Sequence, residues 1–196
     1  HDSTPVDPFI IPKTDVFELF GNDSAAYEGV YECGFGHTTE FELKVISNLV
    51  RKWEPRRIFE IGTFEGRTTL NMAINTTSDT EIITLDLPAE ELASTKMEIE
   101  EGEVRYVKKD VSGQRFIGHP AASKIRQVFG DSASFDFEKY QNSVDVAFID
   151  GSHAYEYVLN DSEKVFTIMR KGGHIIWHDY TNWPGVWTAL NELYQK

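Results

Sequence analysis

Acidic, glycine, hydroxyl and imidazole side chains gather at five places in this chain, each at or just after the end of a short apolar run. The first is Glu60-Ile61-Gly62-Thr63-Phe64-Glu65-Gly66-Arg67-Thr68-Thr69. Glycines there let a backbone approach a ligand closely, and a helix starting at Arg67 would offer free N–H groups to an anion. A dinucleotide fingerprint needs G-x-G-x-x-G, whereas Thr63 and Phe64 follow Gly62 here. An acid ahead of the glycines repels a pyrophosphate but accepts a hydrogen bond from an ammonium. The loop therefore suits a zwitterion, its amine toward Glu60 and its carboxylate toward Thr68. A glycine turn that only permits tight packing is the plainer account of the same residues.

Asp86 closes the next run, roughly 20 to 25 positions past the glycines, where nucleoside-binding sheets grip a ribose diol. Gly130-Asp131-Ser132 closes the third and could meet an adenine edge. Asp150 and Asp179 close the fourth and fifth. If those runs are neighbouring strands, about 4.7–4.9 Å apart, the two carboxylates converge, and their repulsion raises one pKa unless a cation sits between them. A divalent ion would relieve that repulsion and chelate a substrate oxygen, lowering its pKa. Mg²⁺ prefers oxygen ligands, so His178 beside Asp179 either stands outside the shell or signals Mn²⁺. The plainer alternative has Asp150 on a ligand and Asp179 capping a turn. His153 follows Asp150 by three positions. With Ser152 as N-cap it falls in a first helical turn, which disfavours imidazolium and leaves a neutral base near pH 7.

The elements that must position these residues are readable. Apolar runs at Arg57–Ile61, Glu81–Asp86, Ile125–Phe129, Val144–Ile149 and 174–177 alternate with helical spacing at 67–75, 90–101, 155–169 and 186–194. Runs such as Val146-Ala147-Phe148-Ile149 are nearly continuous, as strands covered on both faces are. Alternation of this kind predicts a doubly wound, mostly parallel α/β sheet, whose ligands lie outside the carboxyl ends of the strands. A further helix runs from Thr38 or Thr39, its N-cap, through Trp53 to a stop at Pro55. Residues 1–36 read as an arm anchored by Val16, Phe17, Leu19 and Phe20, with residues 37–196 as the domain. Between Asp86 and Ile125 an irregular excursion carries Glu90, Glu91, Glu98, Glu100, Glu101 and Glu103, which read as a solvated face. The aromatic residues Tyr155, Tyr157, Trp177, Tyr180, Trp183 and Trp187 line a substrate face or pack, and His37 belongs to a glycine turn or a lid.

The chain has 196 residues, enough for one cored domain. Nineteen Lys and Arg against 32 Asp and Glu give a formal charge of -13, which disfavours a nucleic-acid partner. No stretch is long and apolar enough for a membrane span, and no signal peptide is visible, so a cytoplasmic location is expected. A single cysteine, Cys33, excludes an internal disulfide framework and a multi-cysteine zinc cluster.

Taken in order, IFEIGTFEGRTTLNMA, IITLDLP, RQVFGDSASFDF, VDVAFIDGSHAYEYVLND and IMRKGGHIIWHDY resemble a class I S-adenosylmethionine-dependent methyltransferase, in particular its small O-methyltransferase-like branch. The resemblance spans about residues 40–194. It implies a Rossmann-like sheet, with Glu60, Gly62, Gly66 and Thr68 on the methionine part, Asp86 on the ribose, Asp131 and Ser132 on the adenine, and Gly151 beside the adenosine. By the same resemblance Asp150 and Asp179, with His178, would hold a divalent metal (Mg²⁺ or Mn²⁺), and His153 with Asp150 would be catalytic. The family usually closes its sheet with an antiparallel hairpin, whereas this sequence stops at Lys196, so the hairpin is expected to be either truncated or absent from the chain. The implied acceptor is a hydroxyl on a small molecule or glycan, and an oligomer is left open. The rival readings are a nicotinamide-dependent oxidoreductase and a non-catalytic scaffold on the same sheet.

Overall fold

A computed structural model describes residues 7–20, 29, 30, 32, 34 and 36–196, so Cys33 and the Phe17 side chain lie outside the described residues. The described elements, in chain order, are α1 (Val16–Phe20), α2 (Glu40–Trp53), β1 (Arg57–Ile61), α3 (Arg67–Ile74), β2 (Glu81–Asp86), α4 (Val104–Val107), β3 (Ile125–Phe129), β4 (Val144–Ile149), α5 (Tyr155–Ile168), β5 (Met169–Trp177) and α6 (Pro184–Gln195). The five strands form one parallel sheet in the order β3-β2-β1-β4-β5. The order reverses between β1 and β4, the place where doubly wound sheets open a crevice.

Period-two alternation divides the strand residues between two cores. Phe59, Ile61, Ile83, Leu85, Ala147 and Ile149 face α5, meeting Val165 and Ile168. Ile58, Ile82, Val146 and Phe148 face the other way, against Ile46 and Val50 of α2 and Met72 and Ala73 of α3. Thr39 caps α2 in a reciprocal box with Glu42, whose carboxylate accepts from the Thr39 N–H at 2.7 Å. Val158 of α5 packs on Val186, Ala189 and Leu190 of α6.

Three expectations need correction. The helix over 90–101 does not form: Ala89–Ser94 and Glu101–Glu103 are short 3-10 turns, because clustered glutamates repel and no apolar stripe repays a helix. β5 begins at Met169 rather than 174: Met169 pairs with Val144, and a register shift separates that pair from His174 opposite Val146. The Leu19 side chain does not anchor the arm, being exposed, although its carbonyl accepts from Lys52 at 3.3 Å. It is held at its start, where Asn191 donates to the Pro8 carbonyl at 2.6 Å, the Tyr180 hydroxyl accepts from the Ile11 N–H at 3.2 Å, and Phe9 packs on Tyr180 and Trp187.

Candidate active site

Adjacent loops at the carboxyl ends of β1 and β4 meet closely. Gly62 accepts this only because it has no side chain: a Cβ there would fall 2.0 Å from the Asp150 carbonyl oxygen, and its φ is +99°. Gly66, at φ +81°, caps α3 where a Cβ would strike the Phe116 ring at 2.6 Å. Two cavities open above this seam and share Gly62, Phe64, Tyr106, Asp150 and Gly151. One runs over β1 and β2 and is lined by Asp86, Gly130, Asp131, Ser132 and Tyr157. The other is lined by His37, Arg67, Thr68, His153, His178, Asp179 and Trp183. The structure thus gathers Gly62, Thr68, Asp86, Asp131, Ser132, Asp150, Gly151, His153, His178 and Asp179 around one connected cleft, whereas Gly66 lines neither cavity.

Glu60 is not among them. It shares the face of Ile58, not of Ile61, and its carboxyl is wholly buried, accepting from the Thr69 hydroxyl and from the Thr84 hydroxyl at 2.5 Å. Burial pushes its pKa up to about 8, the two threonines offsetting only part of that. The carboxyl knits α3 to β2 through Oε2, leaves Oε1 buried without a hydrogen-bond partner among the described residues, and lines neither cavity.

Asp86 lies in the first cavity but is already engaged. Its carboxylate accepts from the Ser112 hydroxyl at 2.5 Å and the Phe64 N–H at 3.3 Å, and pairs with Lys109 at 2.6 Å. Asp131 accepts from the Ala133 N–H and the Tyr157 hydroxyl, both at 2.9 Å, and from the Lys96 N–H at 2.8 Å. Ser112, Lys109 and Lys96 belong to the excursion after β2, which is therefore stitched across the strand ends. Sequence reading missed this role, and it missed Glu103.

At the reacting end β4 and β5 are neighbours, with Ile149 opposite Trp177, so Asp150 and Asp179 converge as expected. Asp179 sits at φ +59°, a left-handed conformation that Asp tolerates better than most residues. His178 lies between the two acids, its Nδ1 3.1 Å from Asp150 Oδ1 and 3.1 Å from Asp179 Oδ2. His153 Nε2 lies 2.9 Å from Asp179 Oδ2 and its Nδ1 2.5 Å from Glu103 Oε1. Its ring stacks on Trp183, centroids 4.5 Å apart.

This geometry corrects the picture of His153 as a free neutral base. Ala154, not Ser152, precedes the first helical residue, so His153 lies before α5 rather than in its first turn. Burial lowers its pKa, but bonds to Asp179 and Glu103 outweigh that and push it up to about 9. His178 is likewise opposed by burial and still raised far above the ordinary range, by the Asp150 charge and by bonds to Asp150, Asp179 and Glu42. Burial raises Asp179, yet the two imidazoles hold it well below the carboxylate range.

Asp150, His153 and Asp179 can each aim one ligand atom at a common point, all within 4.8 Å of one another. Two carboxylates and an imidazole are a donor set for Mn²⁺ more than for Mg²⁺. The set differs from the expected one by exchanging His178 for His153.

A parallel sheet with its crevice at the β1–β4 switch, acids at successive strand ends and a convergent acidic centre beyond them is a Rossmann-like arrangement. Residues 59–180 match the family model described as a methyltransferase domain, and the chain belongs to that family. It is 27% identical over 185 residues to the uncharacterized protein R132 of Acanthamoeba polyphaga mimivirus, covering 91% of this chain and 77% of that one. Its fold is that of the O-methyltransferase from Bacillus cereus solved with S-adenosylhomocysteine (TM-score 0.57, 20% identity, 95% of this chain and 80% of that one). The S-adenosylhomocysteine-bound methyltransferase PaMTH1 of Podospora anserina matches with TM-score 0.54 and 16% identity over 72% of this chain. The chain spans about half the length of that protein, 53%. Among the described residues, no helix is long and apolar enough to cross a membrane.

Proposed function

We propose that this chain binds S-adenosylmethionine across the seam at Gly62 and transfers its methyl group to a hydroxyl of a small molecule or sugar. The observation that carries the reading is the meeting of two cavities at Asp150 and Gly151, with nucleoside-type acids in one and the carboxylate–imidazole cluster in the other. The nucleoside half would lie over Gly62 with its ribose at Asp86 and its adenine by Ser132. The methionine half would extend toward Thr68, with the methyl facing the second cavity.

Transfer is an in-line displacement: an acceptor oxygen bonds to the methyl carbon as the carbon–sulfur bond breaks, and the electron pair stays on sulfur. The protein must align the oxygen and take up its proton. Asp150, which borders both cavities, would take it up. A divalent cation bound by Asp150, His153 and Asp179 would supply Lewis acidity to the acceptor oxygen. His153, held at Nδ1 by Glu103, positions rather than shuttles.

The test is incubation with S-adenosylmethionine and a panel of catechols, phenols and sugars, with and without EDTA, read by mass spectrometry. Methylated product that disappears with EDTA and returns with Mn²⁺ is expected. EDTA-insensitive turnover would remove the metal, and no transfer to any hydroxyl would favour the scaffold reading.

A further inference from the structure

Glu103 stands apart from its acidic neighbours. The other glutamates of 90–103 are at least partly exposed, whereas Glu103 is 3% exposed. Both its oxygens are used: Oε1 accepts from the His153 N–H and faces His153 Nδ1, each at 2.5 Å, and Oε2 accepts from the Ser152 hydroxyl at 2.9 Å and the Glu100 N–H at 3.3 Å. Three of these four contacts go to one place, the loop between β4 and α5, and the fourth comes from its own segment. The segment that carries it also forms the wall of the first cavity through Ile99, Tyr106 and Lys109.

An imidazole with a carboxylate at Nδ1 keeps its proton on that nitrogen, which leaves Nε2 as the ligating atom. In His153 that atom is the one directed at Asp179. We propose that Glu103 is a positioning residue that fixes the ring and tautomer of His153, and so sets the affinity of the Asp150–His153–Asp179 cluster for a divalent ion. The inference rests on the metal reading above. It also makes the excursion a mechanical link, because the strap that walls the nucleoside cavity carries the group that orients the reacting centre.

The test measures Mn²⁺ affinity by electron paramagnetic resonance and S-adenosylhomocysteine affinity by calorimetry, in the full chain and in E103A and E103Q. Outer-sphere partners of metal-bound histidines are worth roughly 10–100-fold in affinity. E103A is expected to lose about that much for Mn²⁺, and E103Q, whose amide oxygen still accepts from Nδ1, at least about threefold. S-adenosylhomocysteine affinity should stay within about threefold, whereas a merely structural role would weaken both ligands together. Wild-type Mn²⁺ affinity in E103A, or in E103L should E103A fail to fold, would overturn the inference because neither side chain can accept from Nδ1, and so would parallel loss of both ligands. Absence of Mn²⁺ binding by the unmodified chain would overturn the metal reading and this inference with it.

Discussion

Lys109 places its ammonium 2.6 Å from the Asp86 carboxylate, and both side chains are about nine-tenths buried, at 10% and 8% exposure. The excursion after β2 thus returns a cation to the acid at the end of β2. Removing one partner of a buried pair strands the other charge. K109M is expected to cost about 2 kcal/mol, less than the fully isolated limit because Ser112 and the Phe64 N–H still bond Asp86. The double variant D86N/K109M should recover at least about 1 kcal/mol relative to the sum of the single variants. Urea unfolding of the four proteins checks this, and strict additivity would deny the coupling.

Glu60 makes stability depend on pH in an unusual direction for an acid. Its pKa rises from 4.5 to about 8 on folding, so the folded state holds the proton more tightly than the unfolded chain. The contribution is fully present below pH 4.5 and is lost as pH rises through about 8, at roughly 1.4 kcal/mol per pH unit in between. Thermal melting from pH 5 to 8 should show wild type falling relative to E60Q, whose amide oxygen still accepts from Thr69 and Thr84. Parallel melting curves would show that Glu60 is ionised within the fold.

The β1–β4 seam has no room for a methyl group. G62A would press its Cβ into the Asp150 carbonyl at 2.0 Å and hold φ at +99°. A loss of at least about 3 kcal/mol is expected, by urea unfolding. Near-native stability in G62A would mean the seam can open, and with it the meeting point of the two cavities.

How much of this was legible in the sequence follows from what each residue's neighbours are. The first four strands were readable to the residue because each is a compact apolar run ending in a glycine or acid. The convergence of Asp150 and Asp179 followed once their strands were adjacent. Glu60 misled because an acid next to a glycine loop looks like a ligand contact. In a strand covered on both faces, however, period-two alternation turns it toward Thr69 and away from the cleft. Glu103 was invisible for the opposite reason. Among six glutamates nothing local marks the one that folds back, and only the long-range contact to His153 distinguishes it. The same contact overturned the neutral-base picture, since a cap-and-dipole argument sees α5 but not a carboxylate arriving from fifty residues upstream.

The most direct test of the central claim is calorimetric titration of the intact chain with S-adenosylhomocysteine, and in parallel with NADH. Saturable one-to-one binding of S-adenosylhomocysteine with no heat from NADH is predicted. Tight NADH binding with no affinity for S-adenosylhomocysteine would contradict the assignment of the cleft.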